Sequence, residues 1–149
     1  MLMSEDPKQY SVNVRWTGGK SGDVDVRGLP TIRTGIPPDQ EDISRMYTPE
    51  ELFVAAGSVC FMNSFVHFTQ KMRIDFKSFE VESVGTLEQV ERSFEVTKIH
   101  SKATVVISSE DIRKKMERAL ELGAKYCFIS NSMKCPTTHE NIILVDETM

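Results

Sequence analysis

The chain has 149 residues, a formal charge of −4 and 40% hydrophobic residues. That length suits one domain over 1–149 with a real core, and the acidic balance offers no basic face for nucleic acid. The segment Met1 to Gln9 is polar and lacks the apolar run of a secretory signal, so a cytoplasmic protein is expected.

Tyr10, Val12, Val14 and Trp16 alternate with Ser11, Asn13 and Arg15, the period of a strand with one buried face. Thr17 to Gly22 is a glycine-rich turn, and Val24 and Val26 alternate with Asp23, Asp25 and Arg27, which predicts an antiparallel hairpin. The peptide Gly18-Gly19-Lys20-Ser21 lacks the earlier glycine and the following helix of a phosphate loop, so no nucleotide site is assigned to it. From Gly28 to Tyr47 the chain is rich in Pro, Gly and charge, predicting an extended connection with one short strand at Thr31-Ile32-Arg33.

The most apolar stretch runs from Thr48 to Phe68. Thr48, Pro49 and Glu51 form the signature of a capping box, with proline at the first helical position. Only Ser58, Asn63, Ser64 and His67 interrupt the apolar character, so this helix is expected to be buried on all sides. A bilayer span takes ~20 apolar residues. The run is shorter, is broken by Asn63 and His67 and is followed by Lys71 and Arg73, which argues for a core helix and against membrane insertion.

Alternation at Phe79, Val81 and Ser83, then over Arg92 to His100 and Ser101 to Ile107, predicts a meander of two or three antiparallel strands. Ser108 or Ser109 caps a second, amphipathic helix whose stripe is Ile112, Met116, Ala119, Leu120, Gly123 and Cys127. Asn141 to Val145 closes the chain as a last strand. Hairpin-ordered strands with few strand–helix–strand units give an α+β fold built on antiparallel sheets.

Three cysteines, Cys60, Cys127 and Cys135, are too few for a disulfide scaffold. Cys60 and Cys127 both fall on core-facing sides of the two long helices, so they are able to meet. On pattern alone two readings stand side by side: thiols that fill space, or a redox pair in which one thiolate attacks a peroxide and the other captures the sulfenic acid. Cys127, Cys135 and His139 do not have zinc-site spacing, and no metal is expected. His67 and His100 have no recognisable triad partner, and Cys135 is read as a spectator.

Two segments bear a family resemblance. Pro49-Glu50-Glu51-Leu52-Phe53-Val54-Ala55-Ala56 followed by Cys60-Phe61, and Cys127-Phe128-Ile129-Ser130-Asn131-Ser132-Met133-Lys134, resemble the two signature regions of the OsmC/Ohr family, the osmotically inducible and organic hydroperoxide resistance proteins. Val14 to Lys20 is similar to the family's amino-terminal strand and glycine turn, so the resemblance covers almost the whole chain.

The resemblance implies an OsmC-like α+β homodimer of intertwined chains, with central helices packed together and sites at the interface. It further implies a cysteine-based thiol peroxidase that reduces organic, hydrophobic hydroperoxides at the expense of an external dithiol, with no bound cofactor. Cys60 would be the peroxidatic thiol and Cys127 the resolving thiol, while Glu50 matches the family's active-site glutamate. Lys20 stands where the family has an arginine that steadies the thiolate, and Arg45 is the other candidate cation. Phe128 stands where the hydroperoxide-resistance branch commonly has proline.

Phe53, Phe61, Phe65 and Phe68 would give an apolar lining. Ten helical positions place Glu50 roughly 15 Å along the axis from Cys60, so Glu50 reaches the thiol only through a break in the helix, an intervening cation or the dimer interface. The alternative function is a non-catalytic binding module that holds a small apolar or thiol-bearing ligand at that interface.

Overall fold

The computed structural model describes residues 5–36 and 45–148. Two compact units make up the chain, Leu2–Phe53 and Val54–Met149, and each is taken by itself. The Pro37 to Asp42 part of the expected loop lies outside the described residues.

In the first unit β1 (Asn13–Gly18), β2 (Ser21–Asp25) and β3 (Ile32–Gly35) form an antiparallel sheet in the order β1-β2-β3. The hairpin is the expected one. Val14 pairs with Val24 and Val24 with Ile32, so these three form one apolar row, while Arg15, Asp23 and Arg33 form a charged row on the opposite face.

The expectation of a buried apolar face fails in the single chain, where Val14 is 64% and Trp16 75% exposed. A three-stranded sheet has two faces, and among the described residues Val14 and Trp16 on this one stay exposed. Gly35, at φ 146°, is required: a Cβ there would stand 2.2 Å from the Lys20 carbonyl, which accepts from the Ile36 N–H at 3.1 Å. Tyr47 N–H donates to the Arg33 carbonyl at 2.8 Å, which ties the strand edge to the chain entering the helix.

Helix α1 (Pro49–Met72) starts where the capping box predicted. The Glu51 N–H donates to Thr48 Oγ1 at 3.1 Å and the Thr48 N–H to Glu51 Oε1 at 3.0 Å. That reciprocal bonding holds the Glu51 carboxyl below its ordinary range, the Thr48 N–H being the largest cause.

At 24 residues α1 is longer than the apolar run suggested, because Gln70 and Lys71 sustain its last turn. By length and composition alone it now qualifies as a membrane span. Burial on all sides is also corrected: Gly57, Phe61, Ser64, Phe65 and Thr69 are buried, whereas Val59 (52%) and Met62 (37%) are exposed. One sheet reaches only one side of a cylinder.

The second unit carries a mixed sheet in the order β4-β5-β6, formed by β4 (Ser78–Val90), β5 (Ser93–Ile107) and β6 (Thr137–Val145). The stretch read as two runs, 92–100 and 101–107, is the single strand β5. An irregularity where Leu87 pairs with Val96 while Thr86 pairs with Lys98 leaves Thr97 over. The apolar side chains thereby change parity along the strand and mimic a break.

Strand β6 starts earlier than expected and runs parallel to β5, so the expectation of purely antiparallel sheets is corrected. A parallel neighbour needs a crossover. It is supplied by a 3₁₀ turn (Glu110–Ile112), α2 (Arg113–Lys125) and the short α3 (Phe128–Asn131). Ser109 caps the 3₁₀ turn, its Oγ accepting from the Asp111 N–H at 3.2 Å.

The core lies between this sheet and the helices α1 and α2, and joins Phe61 and Phe65 to Ala103, Val105, Ile107, Met116, Ala119 and Leu120. Phe65 stacks on Phe79 at 4.8 Å and meets Phe76 at 5.2 Å. Gly123 lets α2 press on α1, since a Cβ there would lie 3.0 Å from Phe65 Cα.

Candidate active site

Cys60 is half-buried on α1, on the turn after Gly57. Cys127 is 1% exposed, and it lies two residues past the helix on which it was expected: α2 stops at Lys125 and Cys127 is the residue before α3. The stripe Met116, Ala119, Leu120, Gly123 still points the following residue inward, because four positions complete about one turn. Cys127 Sγ donates to the Gly57 carbonyl at 3.6 Å.

The Cys127 thiol and the Phe128 and Ile129 backbone amides lie close enough to Cys60 to act on its sulfur. The pair expected from the two apolar stripes is therefore formed. Burial pushes the Cys60 thiol up, the Ile129 amide opposes it, the neighbouring Cys127 adds to the rise, and the Phe128 amide also pulls down. Such an arrangement favours a thiolate only through the two amides, since the groups acting on the sulfur all belong to the unit Val54–Met149.

The other expected site residues belong to Leu2–Phe53. Lys20 is exposed in the β1–β2 turn and Arg45 is exposed in the turn before α1. Glu50 is exposed in the first turn of a helix that does not break at Gly57-Ser58, so a direct bond within one helix to Cys60 is ruled out by length.

The short helix α3 escaped the sequence reading because Phe128 to Asn131 is four residues long and has no side-chain cap. Its amides leave no trace in residue type. Cys135 is a buried free thiol between α3 and β6, and His139 stands on β6 with its ring 4.8 Å from Phe61. Among the described residues no three His, Cys, Asp or Glu side chains converge as a metal site would need.

Fold and site together describe a small α+β protein in which Cys127, just before α3, neighbours Cys60 on a long apolar helix. A family model for OsmC-like proteins matches residues 40–141, and the chain belongs to that family. Similar solved structures include an OsmC-like protein of unknown function from Vibrio cholerae, 26% identical with a TM-score of 0.81 over 91% of this chain and 100% of that one. A hypothetical protein from Aquifex aeolicus is 17% identical, with a TM-score of 0.77 over 95% and 100% of the two chains. The organic hydroperoxide resistance protein OhrB of Bacillus subtilis is 20% identical, with a TM-score of 0.65 over 91% and 98%. No curated protein matches.

Proposed function

We propose that the protein is a cytoplasmic thiol peroxidase for organic, hydrophobic hydroperoxides, acting as a homodimer in oxidative-stress defence. The observation that carries this reading is that the Cys127 thiol and the Phe128 and Ile129 amides neighbour Cys60. Membership of a family whose relatives include proteins of organic hydroperoxide resistance supports it.

In the proposed reaction the Cys60 thiolate attacks the terminal oxygen of the hydroperoxide. The S–O bond forms, the O–O bond breaks, and the alkoxide leaves as the alcohol after taking a proton. Cys127 then attacks the sulfenic sulfur; an S–S bond forms and water departs. An external dithiol reduces the disulfide and is itself oxidised, so two electrons pass from dithiol to peroxide with no bound cofactor.

Cys60 is assigned as the nucleophile because the Ile129 and Phe128 amides favour its thiolate against the push of burial, and Cys127 as the resolving thiol because it is more deeply buried. Lys20 or Arg45 is proposed to reach a thiolate in the assembled dimer, and Glu50 is retained only in that setting.

A second reading is favoured by one observation, the upward push of burial on Cys60. A thiol kept protonated suits a binding module that holds a small apolar or thiol-bearing ligand. Intact mass during exposure of the reduced protein to an organic hydroperoxide separates the two. Peroxidase chemistry gives rapid loss of two hydrogens in the wild type, trapped sulfenic or higher oxides in Cys127→Ser, and inertness in Cys60→Ser. A wild type that stays reduced while Cys60 alkylates slowly sinks the peroxidase reading.

A further inference from the structure

Beneath α1 lies a polar cluster that the thiol chemistry does not use. Ser58 on α1, Ser83 on β4 and Ser101 on β5 form a chain of hydroxyls with Oγ–Oγ distances of 2.7 and 2.8 Å. Ser58 Oγ also lies 3.1 Å from the Val54 carbonyl. Each hydroxyl carries one proton, so Ser58 serves one acceptor at a time. In either sense the chain ends at Ser101, which keeps a lone pair or a proton for a further partner.

Ser101 is 4% exposed, and it faces a cavity of about 10 Å³ that Ser58, Phe61, Ser130 and His139 also line. Two buried polar atoms lack a hydrogen-bond partner among the described residues, Ser64 Oγ and His139 Nδ1. Only the second belongs to a residue lining this cavity. Buried polar atoms are almost always paired, with protein or with ordered water. A cavity of ~10–15 Å³ with two to four polar partners holds one water.

We propose that this cavity is a binding site for a single internal water, shared by His139 Nδ1, Ser101 and Ser130, which ties α3 to the sheet beneath α1. The water donates one proton to Nδ1, so His139 is the neutral tautomer with its proton on Nε2. Burial acts in the same direction by holding the imidazole below its ordinary range. Ser130 is part of α3, whose first two residues carry the amides that act on Cys60. The water is therefore a positioning element for those amides; this last step alone rests on the two-thiol reading.

A crystal structure of the reduced full-length protein that orders internal waters is the direct test. One water at ~2.7–3.2 Å from both His139 Nδ1 and Ser101 Oγ is expected, together with imidazole ¹⁵N resonances of the Nε2–H tautomer. In thermal unfolding, His139→Phe lowers Tm, because it strands the water. Ser130→Ala leaves Tm nearly unchanged and slows Cys60 alkylation several-fold.

A dry cavity, a proton on Nδ1, or a His139→Phe variant more stable than the wild type overturns the site, since removing an unpaired nitrogen stabilises. Unchanged alkylation in Ser130→Ala, with the water present, overturns the positioning step. A protein inert to hydroperoxide that still shows the water refutes the peroxidase and leaves the water site standing.

Discussion

Cys60 sits among opposed effects: burial, the largest, pushes its thiol up, and the Ile129 and Phe128 amides pull it down. Phe128 follows Cys127 directly and occupies the first position of α3, where proline is sterically welcome. Cys127 has φ −74° and ψ 108°, within the extended region that a residue before proline prefers. Phe128→Pro therefore keeps the local backbone but deletes one N–H donor. Its Cys60 is expected to alkylate more slowly at neutral pH, with the rate profile displaced to higher pH. Superimposable iodoacetamide profiles for variant and wild type would rule out that amide as a thiolate donor.

Both cysteines were legible as a pair at this scale because apolar stripes reveal which side of a helix is buried. The amide donors were not legible, since every residue but proline has one.

Among the elements, the crossing of α1 and α2 sets where Cys127 arrives. Gly123 is four residues before it, and a Cβ at that position would meet Phe65 Cα at 3.0 Å and Phe65 N at 3.1 Å. Those are backbone atoms, so the helices themselves must part. Gly123→Ala gains ~1 kcal/mol of helix propensity against an overpacking cost of typically ~1–3 kcal/mol. The expected net loss is about 0–2 kcal/mol in urea unfolding, with the Cys60–Cys127 disulfide forming more slowly. A stabilised variant would mean that α2 slides freely on α1.

The capping box at Thr48 and Glu51 was readable in advance because it is a local hydrogen-bond pattern. The parallel placing of β6 was not, because strand direction depends on the length and path of the crossover, not on the alternation within the strand.

For the whole molecule the issue is what covers the exposed apolar side chains. In the unit Val54–Met149, Val59 and Met62 on α1 and Leu87 and Phe94 near the β4–β5 turn are all more than one third exposed. Exposed apolar surface of this extent marks an interaction face, and association of two chains is the proposal that fits an all-round apolar helix with one side on a sheet. Sedimentation equilibrium is expected to give twice the chain mass of 16.9 kDa. Val59→Glu combined with Met62→Lys is expected to shift the protein to monomer and to slow peroxide turnover at least tenfold. A wild type that sediments as a monomer at micromolar concentration refutes the dimer.

By itself the sequence determined the α+β class, the capped apolar helix, the amphipathic second helix and the inward direction of Cys60 and Cys127, because each follows from a periodicity or a cap written in neighbouring residues. Tertiary structure alone decided that β6 runs parallel to β5, that α1 is covered on one side, and that the Phe128 and Ile129 amides come to neighbour Cys60. Those features join residues far apart in the chain through backbone groups that all residue types share. No local pattern encodes them, and only the packed arrangement brings them together.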